Sequence, residues 1–253
     1  MFNLMEWSIG LGMSVGPMVG SLLVGWSGHN YFSRPFLVII TVFSLLWCLF
    51  FQSSSVNVDN YRDDKSTNNG GFLLYLTTWL CFMFAWQGYF HWFPSLMYTR
   101  FHFTHAKLSV FYTVLGVFYI VSQLFIVNVF TRWNIHRKVV VTALPVLSFS
   151  FLIMAMTSSV FVMYIISAVY MLAISFFLPF WKAYLSLKEQ WGFKQLFTKM
   201  TIATSLCAVG SSALGGFFST FSLGVTFVIF SLFMLLAVIF FLQAERSRCS
   251  QAR

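Results

Sequence analysis

Residues Trp7 to Trp26 read WSIGLGMSVGPMVGSLLVGW, an uncharged stretch long enough to cross a hydrocarbon core of roughly 30 Å as one helix. Within it Gly12, Gly16 and Gly20 recur every four residues, so their missing side chains fall on one drifting face where a neighbouring backbone can approach closely. Pro17 removes the amide that would bond to the Met13 carbonyl and predicts a bend, which helices in lipid tolerate when they are packed among partners. A bare Gly-xxx-Gly repeat serves packing in many membrane helices. Gly16-Pro17 followed by Gly20 is a more specific signature.

The rest of the chain has the same character. Hydrophobic residues make up 59% of 253 residues and charged ones 8%, a balance that a water-soluble domain could carry only with a very large exposed apolar surface. The sequence therefore predicts an all-α integral membrane protein. The first apolar run lacks a small-residue cleavage site, so no removable signal peptide is expected. The net charge of +9 does not point to nucleic acid, because the basic residues sit between long apolar runs, where they set orientation. Cys48, Cys81 and Cys207 lie inside apolar runs and Cys249 near the end, with no CxxC pair. They read as small buried hydrophobes, not disulfides or metal ligands.

Eight apolar runs of spanning or near-spanning length are expected, at 7–26, 36–52, 72–94, 108–130, 139–157, 160–181, 200–220 and 222–243, none of them containing Asp, Glu, Lys or Arg. With the polar loop 53–71 in the cytoplasm, Arg62, Lys65, Arg132, Arg137, Lys138, Lys182, Lys188, Lys194, Lys199, Arg246, Arg248 and Arg253 gather on that side. Only Arg34, Arg100 and Lys107 remain opposite. The positive-inside rule then places both termini in the cytoplasm of a multi-pass protein of the cell (inner) membrane. Loop 53–71, rich in Ser, Asn, Asp and Gly, reads as a flexible linker. It divides residues 1–52 with two spans from 72–243 with six, leaving 244–253 as a cytoplasmic tail.

The stretch around Gly12, Gly16, Pro17 and Gly20 resembles the fifth-helix motif of major facilitator superfamily transporters, particularly proton-coupled drug exporters, with Ser21 where that motif often has another Gly. In the seventh run Ala208, Ser212 and Gly216 repeat the small-residue interval six spans later, as helix eleven repeats helix five in a fold of two six-helix halves. Residues 130–138, with Arg132, Arg137 and Lys138, resemble the basic turn between helices eight and nine, without its usual glycine and acidic residue. Tyr89 to Pro94 and the run containing Gln123 resemble helices seven and eight of drug:proton antiporters. Pro179 and Ala183 to Ser186 resemble the exit from helix ten. The resemblance implies eight transmembrane helices corresponding to helices 5 to 12, with 1–52 the last two helices of the N-terminal half. It further implies that helices one to four are missing, that the absent part of that half is a partner, and that the isolated chain transports poorly.

Polar groups inside spans are costly and are the first candidates for a substrate route. Gln87 and His91, four apart and so on one face, with Tyr112, Tyr119 and Gln123 on the next helix, are the candidate cavity residues. Asn128 completes the polar short list. Each has a plainer reading as a bond between neighbouring helices. Tyr170, Trp181, Thr201, Thr204 and Ser205 are weaker candidates. His91, His102 and His105 lack any acidic or Cys partner, so neither metal nor cofactor is expected. His91 is the one ionisable group expected at membrane depth. No Ser-His-Asp, paired-carboxylate or phosphate-loop pattern points to an enzyme. The reading is a secondary transporter of a small molecule by alternating access, with proton-coupled efflux or uptake implied by the resemblance. The alternative is a remnant or a non-transporting membrane protein that binds or anchors a partner.

Overall fold

A computed structural model of the chain describes residues 69–123, 136–186 and 193–251, and all regular structure among them is helical. The expected spans 7–26 and 36–52 lie outside these residues, as do Gly12, Gly16, Pro17, Gly20, Asn128 and Arg132. The six helices are α1 (Asn69–Phe101), α2 (His105–Ser122), α3 (His136–Met156), α4 (Val160–Ser186), α5 (Phe193–Ser219) and α6 (Leu223–Gln251). Five of them, α2 to α6, are long and apolar enough to cross a membrane. α1 is the longest at 33 residues, but its Trp, Tyr, Gly and Gln residues and His91 dilute its hydropathy.

Several boundaries differ from the apolar runs, for physical reasons. α1 does not stop at Pro94 but continues to Phe101; one missing amide bond is tolerated where neighbouring helices surround the bend. Arg137 and Lys138, expected in a loop, occupy the first turn of α3. α6 runs through Gln251, so residues 244–251 extend a helix where a tail was expected. Hydropathy marks where lipid ends, not where backbone hydrogen bonding ends.

Backbone neighbours run in the order α5, α1, α6, α3, α4, α2. Rings close the bundle, since Phe82 of α1 meets Phe177 of α4 at 4.2 Å between centroids and Phe93 of α1 stacks on Phe111 of α2 at 5.5 Å. Lipid tails are as apolar as leucine, so burial from water does not hold these helices together; packing and hydrogen bonds must. Aromatic pairs, each worth about 0.5–1.5 kcal/mol beyond area burial, are the main packing device, and Phe82, Phe93, Phe111, Phe151, Phe177 and Phe227 are fully buried.

Small residues let the rings in. A side chain at Gly88 would lie 2.2 Å from the tip of the Phe230 ring, and one at Gly215 2.1 Å from Trp92 Nε1. Where α3 crosses α6, Ser148 Oγ donates to the Ser231 carbonyl and Ser231 Oγ to the Ser148 carbonyl, both at 2.9 Å. The reciprocal bonds satisfy both hydroxyls at a close helix approach. On α5 the residues that pack inward are Ala203, Cys207, Ser211 and Gly215, one position before the expected Ala208, Ser212 and Gly216 stripe. Gly216 sits at the margin of that seam, 3.5 Å from the Trp92 ring by its Cβ position.

Phe230 is buried and cannot swing away freely. Gly88→Ala should therefore destabilise the chain by about 1–3 kcal/mol through overpacking, read as a lower midpoint of thermal unfolding in detergent. Adding Phe230→Leu should restore part of the loss.

Candidate functional site

Polar groups concentrate at the two ends of the bundle, and each end is fastened by a charge. At one end the Arg100 guanidinium of α1 donates to the Ala155 carbonyl at 2.7 Å and the Thr157 carbonyl at 3.2 Å. These are orphan carbonyls at the end of α3, where the helix dipole favours a cation. His102, with φ 52°, turns the chain tightly there, and Thr104 caps α2 by accepting from the Lys107 amide.

At the other end Glu245 of α6 collects four helices. The hydroxyls of Tyr75 (α1) and Tyr184 (α4) both donate to its Oε1, and Arg137 Nε of α3 approaches Oε2 at 2.9 Å. The two tyrosine oxygens are themselves 3.3 Å apart. Glu245 lies on the helical continuation of α6 and is buried, so residue 245 packs into the end of the bundle where the sequence suggested a tail. Two donors and a guanidinium offset the desolvation of the carboxylate. Sequence alone could have flagged Glu245 only through its position at the end of an apolar run that carries on as helix.

The basic residues divide by end. Arg137, Lys138, Lys182, Lys199 and Arg246 belong with Glu245, because Trp79, one turn beyond Tyr75, donates to the Met200 carbonyl at 3.3 Å and so brings the start of α5 to that side. Arg100 and Lys107 belong to the opposite end.

Between the ends, the sequence candidates separate into two groups. Gln87 is half-buried and His91 exposed on one face of α1, and His91 Nδ1–H donates to the Gln87 carbonyl at 2.8 Å. Tyr112, Tyr119 and Gln123 lie on the buried face of α2. Gln123 Nε2 donates to the Ser175 carbonyl of α4 at 2.8 Å, a bond between helices. Tyr170 and Trp181 are fully buried, Thr204 accepts from Trp79 Nε1 at 3.2 Å, and Thr201 and Ser205 are exposed on α5. His105 is joined to Tyr98 by a 2.6 Å hydrogen bond.

Sequence reasoning passed over Tyr89 and Ser167. With Tyr112 and Tyr170 they place four hydroxyls, buried and without a hydrogen-bond partner among the described residues, in the seam of α1, α2 and α4. Tyrosines in apolar runs resemble interfacial anchors in sequence, and only the packing shows these to be interior.

Glu245→Ala removes the carboxylate acceptor of two tyrosine hydroxyls and should cost about 1–3 kcal/mol in thermal unfolding. Arg137→Gln should cost less than about 1 kcal/mol, since 60% of the Arg137 side chain is exposed and solvent screens the pair.

Residues 1–192 match a family profile described as Major Facilitator Superfamily. No curated protein matches the chain. The apolar bundle agrees with a membrane protein, and the profile covers most of the sequence: the chain belongs to the Major Facilitator Superfamily, whose members are transporters and not enzymes.

Proposed function

We propose that this secondary transporter moves a small molecule by alternating access, coupled to protons, and that the Gln87 and His91 face of α1 borders the substrate route. The observation that carries the proposal is the exposure of His91 about nine residues, or roughly 14 Å, from the Arg100 end of α1. An imidazole facing hydrocarbon at that depth is costly, whereas one facing a polar passage is not. Tyr112, Tyr119 and Gln123, on the buried face of α2, belong to the same proposed route.

In this reading eight spans take places 5 to 12 of the fold, with residues 1–52 supplying the last two helices of the N-terminal half, 53–71 the linker and 72–243 the C-terminal half. Val110, Val114, Val117 and Val121 are exposed along one side of α2. This smooth stripe suits the close approach of the Gly12, Gly16 and Gly20 face. The Glu245 end, richer in Lys and Arg, faces the cytoplasm of the cell membrane with both termini. The clamp of Glu245 and Arg137 acts as the breakable fastening that opens when that side of the transporter opens.

Flux of a panel of labelled small molecules into proteoliposomes, with and without a pH gradient, tests the function. The expected result is accumulation of at least one compound that ends when the gradient is collapsed. His91→Gln and Gln87→Ala should each cut that flux about tenfold. Gradient-independent behaviour throughout would favour a non-transporting membrane partner.

A further inference from the structure

The four unpartnered hydroxyls of Tyr89, Tyr112, Ser167 and Tyr170 lie in the interior of the bundle and not on the Gln87 and His91 face. The rings of Tyr89 and Tyr170 are 4.7 Å apart, and Phe151 approaches Tyr170 at 5.0 Å. Tyr112 packs edge-on to Phe93 at 6.1 Å. The Tyr89 hydroxyl lies beside Ser167 and within electrostatic range of the Tyr112 and Tyr170 hydroxyls. Tyr89 and Tyr170 are 0% exposed, Ser167 0% and Tyr112 9%.

Four orphaned hydroxyls converging on one place are unfavourable in a dry core, since each forfeits the bond it would make to water. Tyr89 and Ser167 approach each other closely enough to share one bond, but the Tyr112 and Tyr170 hydroxyls keep no partner among the described residues, so the cluster calls for a small molecule able to both donate and accept. We infer that this cluster is a binding site for ordered water, a buried polar chamber in the seam of α1, α2 and α4. Water fits the chemistry, because each hydroxyl both donates and accepts and no charged side chain among the described residues joins the cluster. Towards the Arg100 end of the bundle, Tyr98 of α1 bonds to the exposed His105 at 2.6 Å. The chamber shares Tyr112 with the proposed route, but its evidence is the buried hydroxyls and not transport.

Synchrotron hydroxyl-radical footprinting of the full chain in lipid nanodiscs tests it, because radicals made from bound water oxidise buried side chains that touch that water. Tyr89, Tyr112 and Tyr170 should be oxidised severalfold faster than Phe93 and Phe151, which are equally buried but apolar. In Tyr89→Phe the rate at Tyr112 and Tyr170 should fall, and the midpoint of thermal unfolding should fall with it. Oxidation of the three tyrosines no faster than Phe93 and Phe151 would overturn the inference. So would a higher unfolding midpoint for Tyr89→Phe, the result expected if a dry orphan hydroxyl had been removed.

Discussion

One carboxylate holds the ends of four helices. Glu245 of α6 accepts from Tyr75 and Tyr184 and pairs with Arg137, so α1, α3, α4 and α6 are joined at a single point. Burying that charge is tolerable only because donors surround it, and each donor comes from a different helix. The arrangement therefore depends on all four helices being in place together. The opposite end uses a cation instead, with Arg100 closing the carbonyl end of α3. Both fastenings sit where charge and water are affordable, leaving the hydrocarbon depth to rings and small residues.

That middle zone follows from the solvent. Lipid gives no hydrophobic reward for helix association, so shape has to supply it. Phe230 fills the notch at Gly88, and Trp92 lies along Gly215 and Gly216. Ser148 and Ser231 hydrogen-bond reciprocally across the α3 and α6 crossing. Such contacts are individually modest, but they are directional, and they set which helix faces touch. The Gln87 and His91 face remains outside this interlock, with Gln87 half-buried and His91 exposed, and we propose it as the border of the passage.

Much of this architecture was legible in the residues. Within the described residues the charge-free runs from 72 onward become helices, and the Lys and Arg there divide unevenly between the two ends of the bundle. Helix ends were less legible, because hydropathy reports the lipid boundary while α6 continues for more than a turn beyond it. Glu245 was hidden for that reason. The α5 seam was displaced by one residue because spacing in fours defines a drifting stripe without saying which edge of it faces a ring. Among site candidates, Gln87 and His91 share a face as their spacing requires. Gln123, by contrast, spends its amide on the Ser175 carbonyl, a pairing between elements that no single-helix pattern contains. Tyr89 and Ser167 were missed because their isolation from partners is a property of three helices together.

A transporter of this family must present its two ends to different compartments, and the account stands on that opposition. Sided labelling tests it most directly. Single cysteines at Lys107 and Ser247, in a chain otherwise free of cysteine, are exposed to a membrane-impermeant maleimide applied to intact cells and then to inverted vesicles. The account predicts that Lys107→Cys reacts only from outside and Ser247→Cys only in inverted vesicles. Labelling of both from the same side would contradict it.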